Sequence, residues 1–202
     1  MATNPVKAFQ AKLRALEYTR QRVEELYSQR VLARRDIESV YEGLFLRSVI
    51  AFEDCLEVLF FQIVRGRSPI RRWNTGAKFS AASDVVIREI LLQDKDYLDW
   101  LPYKRTQSRA KLYLKGGRPF LGLGDGDLSK LAQIQLIRNA IAHASKFARE
   151  QFAQKVIGNT RLSPREKTPA GFLRSLLSSS PATTRLEVFV AAMGAIAGKL
   201  GL

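Results

Sequence analysis

The stretch GLFLRSVIAFEDCLEVLFFQIV, residues 43–64, is apolar on nearly every face. A helix of that kind has little side to give to water, so it belongs at the centre of a bundle. The segment extends back to about Leu32. Its carboxylates, Glu53, Asp54 and Glu57, need an account. A carboxylate in a mostly buried helix requires a partner, usually an arginine or backbone donors. The other reading is that one or more of them, Glu57 first, point at solvent.

Upstream, Pro5 to about Gln29 carries Val6, Phe9, Leu13, Leu16, Val23, Leu26 and Tyr27. Spacings of three and four mark an amphipathic helix. Asn4 followed by Pro5 is a sound start signal. Downstream, RGRSPIRRWNTGAKFS, 65–80, reads as a basic loop, and Ser83 then opens a helix to about Leu92. A short piece, DKDYLDWL, 94–101, ends at Pro102.

Residues 103–126, YKRTQSRAKLYLKGGRPFLGLGDG, hold six cations and one acid, interleaved with Tyr103, Tyr113 and Phe120. The cations are Lys104, Arg105, Arg109, Lys111, Lys115 and Arg118. Basic residues beside aromatics suit single-stranded RNA, where bases stack and phosphates pair. A surface loop whose aromatics pack inward fits the same residues. The glycines at 122, 124 and 126 form no phosphate loop, since no GK[ST] follows. Asp127 is a good N-cap for a helix over 127–150, DLSKLAQIQLIRNAIAHASKFARE. A polar connection, 158–169, leads to two further helices at 169–178 and 182–200. No convincing strand is visible. The fold class is all-α, a bundle of about five to seven helices within one domain, 1–202.

Thirty-three Lys and Arg face nineteen Asp and Glu, a net charge of +14. So basic a chain attracts polyanions, and nucleic acid is the commonest. A cationic surface kept for solubility, or one that meets a membrane, would carry the same excess. One histidine and one cysteine make neither a disulfide nor a zinc site. Cys55 reads as a small buried hydrophobe. No signal peptide and no apolar run long enough to span a membrane is present, so a cytoplasmic protein is expected.

The single histidine stands in RNAIAH, 138–143. On an ideal helix Leu131, Ile134, Ile141 and Ala142 share a stripe, and Arg138 falls inside it. An arginine on an apolar face needs an anion or a route to solvent. His143 lies about 140° from Arg138 but only about 40° from Asn139, so Asn139 can orient the imidazole. Arg138 reaches that face only by extending past Ala140, Ala142 and Ala144.

IRNAIAHAS resembles the signature of HEPN proteins, an arginine, a polar residue, four intervening positions counted from the arginine, then histidine near a helix end. The preceding LPYKRTQSRAKLYLKGGRPF is similar to the ribonuclease-like branch known as RiboL-PSP-HEPN. The resemblance runs from the long second helix to about residue 147, within a domain core of about 5–147. It leaves 148–202 as a C-terminal helical extension of unknown role. It implies a metal-independent endoribonuclease without cofactor. Arg138 would bind the scissile phosphate, Asn139 would orient the site, and His143 would be the acid or base. Glu53 resembles the helix-two acid that accompanies the motif, with Asp54 as rival.

Cleavage of RNA through its own 2′-hydroxyl needs one proton removed and one donated, and histidine suits both. One imidazole cannot easily do both in a turnover. A two-fold homodimer that apposes two motifs supplies two. HEPN nucleases look like that. Family analogy adds a toxin or phage-defence role, with an antitoxin or other defence protein as possible partner. The competing expectation is a non-catalytic HEPN module that binds RNA or nucleotides, or scaffolds a complex. A buried Arg138 paired with Glu53 or Asp54, beside His143 as a helix C-terminal cap, would account for the same residues structurally.

Overall fold

The computed structural model describes residues 4–67, 76–79, 83–92, 97–143 and 145–201. Most of the basic loop at 65–80, the start of the piece at 94–101, and Ala144 lie outside the described residues. The apolar stretch forms α2 (Arg34–Val64), 31 residues long. Ile37, Tyr41, Phe45, Phe52, Leu56, Phe60 and Ile63 along it are fully buried. The first turn is tied by Asp36, whose carboxylate accepts the Ala33 amide at 2.9 Å.

The amphipathic segment forms α1 (Pro5–Ser28). The Asn4 side chain accepts from the amides of Val6 and Lys7 at 3.0 and 3.2 Å, satisfying two donors that the helix itself leaves open. Val6, Phe9 and Leu13 are buried; the Phe9 ring meets Phe52 of α2 at 5.7 Å, while Val6 and Leu13 lie against Gly201 and Gly194 near the chain's last helix. Then come α3 (Asp84–Leu92), α4 (Tyr103–Tyr113), α5 (Asp125–Ala142), α6 (Lys146–Phe152), α7 (Pro169–Arg174) and α8 (Arg185–Gly201). The described residues thus hold eight α-helices, and the mostly helical architecture agrees with the all-α class.

Four local expectations are corrected. Residues 103–113 are helical, not loop. Tyr103, Thr106 and Ala110 point inward three and four apart, and Tyr103 and Phe120 are buried, so neither ring is offered to a base. The helix ends at Tyr113, and the turn after it uses Gly116 and Gly117, with φ of 66° and 64°, which only glycine adopts without strain. Second, the helix at 127–150 begins at Asp125 and breaks after Ala142; Ser145 caps α6 by accepting the Ala148 amide at 3.2 Å. Asp127 is not the cap. It sits in the first turn and grips Lys199 of α8 at 2.7 Å.

Third, a strand pair exists. β1 (Leu176–Ser179) and β2 (Ala182–Thr184) form an antiparallel hairpin, with Leu176 opposite Thr184 and Ser179 opposite Ala182. Fourth, the helices expected at 169–178 and 182–200 are therefore shorter, ending at Arg174 and starting at Arg185.

The core runs through the whole chain. Leu186, Phe189, Met193, Ile196 and Leu200 of α8 are buried against α1, α2, α5 and α7. Each such side chain contributes about 1.5–3 kcal/mol through burial. A second aromatic focus stacks Phe60 on Trp100 and Phe120, with centroids 5.3 and 5.6 Å apart. It fixes the segment before α4 to the C-terminal end of α2. Among the described residues no helix is long and apolar enough to cross a membrane.

Candidate active site

The carboxyl end of α5 brings the motif together in a way the ideal helix does not. Leu131, Ile134, Ile137 and Ala140 form the buried stripe. Arg138 is half-buried beside that stripe, Ile141 is half-buried, and Ala142 is exposed, so the arginine occupies no core position. The helix stops at Ala142, and His143 turns out with φ −122° and ψ 111°, its amide still donating to the Asn139 carbonyl at 2.9 Å. Leaving the helix frees the ring from the angle a continuous helix would impose. Arg138 Nη1 then lies 3.3 Å from His143 Nε2 and 3.2 Å from Asn139 Oδ1.

These contacts set the chemistry. A guanidinium only donates, so Nε2 is the acceptor if this contact is a hydrogen bond. His143 is exposed, and Nε2 carries the lone pair a general base uses. Asn139 Oδ1 also accepts from Gln135 Nε2 at 3.0 Å, one turn earlier. Gln135 was missed in the sequence reading, although its four-residue spacing from Asn139 was there to be seen.

Glu53 and Arg138 line one cleft of about 250 Å³, whose walls include Ile50, Asp99 and Trp100. Glu53 is half-buried and accepts the Leu101 amide at 3.2 Å. Burial raises its carboxyl above the ordinary value, against the Leu101 amide and the charge of Arg138, which favour the ionised form. Asp54 is exposed and pairs with Lys12 of α1 at 3.1 Å. Glu57 does not simply face water: it holds Arg88 at 2.6 Å and Trp100 Nε1 at 2.9 Å. Each of the three carboxylates therefore has its own donor. Among the described residues no carboxylate lies within ion-pair distance of Arg138, so the purely structural pairing with Glu53 or Asp54 is not formed.

The six cations separate. Lys104, Arg105, Arg109 and Lys111 ride on α4, and Lys115 and Arg118 follow in the short turns after it. Arg105 pairs with the Asp99 carboxylate, while Arg109 donates to the Asp99 carbonyl and lies 5.1 Å over the Trp100 ring. Cys55 is buried, and burial pushes its thiol up to about 12. Among the described residues no group of three or more His, Cys, Asp or Glu is placed to ligate a metal ion. No family model matches the chain, and neither a curated protein nor a solved structure is significantly similar to it.

Proposed function

We propose that this chain is a HEPN-like endoribonuclease that cleaves RNA through the 2′-hydroxyl. The observation that carries the reading is the Arg138 guanidinium, seated between Asn139 Oδ1 and an exposed, base-competent His143 Nε2. The 2′-oxygen attacks phosphorus as its proton passes to an imidazole. The P–O5′ bond breaks, and a second imidazole gives a proton to the leaving oxygen. Products are a 2′,3′-cyclic phosphate and a 5′-hydroxyl. Arg138 donates to the non-bridging oxygens, whose charge grows in the transition state. Asn139, held by Gln135, keeps the guanidinium aimed.

The second imidazole comes from a second copy of the chain. Support lies in the apolar groups around the motif: Ile50 and Tyr97 line the Arg138 cleft and are 56% and 70% exposed. Phe147, four residues past His143, is 69% exposed. Such groups beside a polar site suit a self-association seam. A toxin or phage-defence role, held in check by a neutralising protein, extends the same proposal by family analogy.

The test is purified protein on end-labelled tRNA and mRNA, with and without EDTA. Wild type should cut RNA but not DNA, leave cyclic phosphate ends, ignore EDTA, and sediment as a dimer. His143→Ala and Arg138→Ala should each lose on the order of 10²-fold or more. Equal cleavage by either variant refutes the reading. RNA binding without cleavage by wild type favours the non-catalytic binding module.

A further inference from the structure

The groove between α3 and α4 is about 330 Å³ and lies apart from the Arg138 cleft. Leu91, Leu92, Leu112 and Tyr113 give it apolar surface, and Lys104 and Arg109 stand along it. Leu112 is 60% exposed and adds apolar surface to the rim of the groove. Lys111, just outside the groove's lining, follows Lys104 by seven residues, within about 20° of one stripe and about 10 Å along the axis. Both are exposed, and no carboxylate among the described residues pairs with either.

Three contacts join this groove to the candidate active site. Arg105 and Arg109 reach from it to the carboxylate and carbonyl of Asp99, and Arg109 covers Trp100. Asp99 and Trp100 are also walls of the Arg138 cleft. The segment is a ridge with a cationic apolar groove on one side and the catalytic cleft on the other. A cationic stripe over an apolar floor matches a single-stranded polynucleotide, whose phosphates pair with lysine while its bases cover apolar side chains. An acidic peptide would satisfy the cations, but it would not explain why they adjoin a cleft that acts on a phosphodiester.

We infer that the α3–α4 groove is the substrate-strand track, holding nucleotides flanking the scissile phosphate, with Lys104 and Lys111 on the backbone and Leu112 under a base. This rests on the ribonuclease reading, but binding can be measured without cleavage. The probe is a fluorescein-labelled dT12, which has no 2′-hydroxyl and cannot be cut by this chemistry. Fluorescence anisotropy is read at 50 and 200 mM NaCl. Lys104→Glu and Lys111→Glu should each weaken binding on the order of ten-fold at low salt and flatten the salt dependence by about one phosphate contact. Leu112→Ala should weaken dT12 but not an oligoglutamate of equal charge.

Lys155→Glu, an exposed reversal elsewhere, is the control and should have clearly the smaller effect. A Lys155→Glu loss as large as that of Lys104→Glu would reduce the groove to bulk charge and overturn the inference. Oligoglutamate competing as well as unlabelled dT12 would do the same. Groove-dependent dT12 binding in a protein that cuts no RNA would keep the track and remove the catalytic reading. RNA cleavage with dT12 binding indifferent to all three groove variants would do the reverse.

Discussion

Asn139 is the residue on which the site's geometry turns. Its Oδ1 takes one hydrogen bond from Gln135 and one from Arg138, so it transmits the rigidity of the helix to a long, flexible side chain. Asn139→Leu removes the acceptor while keeping the volume, and Arg138 loses its anchor. Cleavage should fall on the order of 10²-fold, as expected for a misplaced catalytic group. Gln135→Ala leaves Asn139 present but unbraced and should cost less, about ten-fold. A Gln135→Ala loss equal to that of Asn139→Leu would contradict this order. Glu53 gives a pH-dependent prediction. Burial raises its carboxyl, so the folded chain holds this proton more tightly than the unfolded one. As pH rises past the ordinary carboxylate value, near 4.3, the unfolded chain ionises first and stability falls. The penalty is complete once pH exceeds the raised value. Glu53→Gln keeps an acceptor for the Leu101 amide and never ionises. Its urea midpoint should match wild type below about pH 4 and equal or exceed it at pH 7; a lower midpoint at pH 7 would show that the charge stabilises the fold.

At the scale of elements, legibility followed the strength of the apolar pattern. α1 and α2 could be read to within two residues at each end, because Asn4 and Pro5 mark one start and an unbroken apolar run defines the other. α4 was hidden because its inward positions are Tyr103, Thr106 and Ala110, of which only the first is a large hydrophobe. The β1–β2 hairpin was hidden because β1 is exposed on both faces, so Leu176 and Leu177 show no alternation and resemble a continuing helix. Arg138, Asn139 and His143 were legible as a motif. Their meeting was legible only as a long reach by Arg138 past small neighbours; the break after Ala142, which lets His143 leave the helix, was not. Ser145, a capping residue at that break, was the available sign. The elements also predict where stability resides. Phe60 of α2 packs on Trp100 and Phe120 and is fully buried. Phe60→Ala should destabilise by about 3–5 kcal/mol in urea unfolding, and it should loosen the Asp99–Trp100 wall that the cleft and groove share. A loss under 1 kcal/mol would mean that the aromatic focus collapses around the gap.

Across the whole molecule, the most distant ends of the chain are joined by a polar network rather than by apolar packing alone. Glu24 of α1 accepts from Arg174 of α7 through two nitrogens, at 2.9 and 3.0 Å, and from the Tyr41 hydroxyl of α2 at 2.7 Å. Arg20, one turn earlier, spans Glu17 and Glu187 of α8 at 2.7 and 3.0 Å. These contacts tie α7 and α8, which follow the candidate site in sequence, to the two helices that begin the chain. Burial alone would raise the Glu24 carboxyl, but the bonds from Arg174 and Tyr41 outweigh it and hold the group below its ordinary value. As acid is added, the unfolded chain takes up this proton first, so the stability Glu24 contributes is full above about pH 4.3 and drains away as pH falls through the lowered folded value. Glu24→Gln keeps the shape but leaves the Arg174 fork with one good acceptor, and it should cost about 1–2 kcal/mol at pH 7. Urea denaturation at pH 7, 5 and 3 reads the difference directly. Wild type and variant should differ most at pH 7 and by less at pH 3. A gap that stays constant across that range would mean the fork and not the charge holds α7 to α1, and a variant as stable as wild type at pH 7 would mean that the apolar core alone closes the bundle.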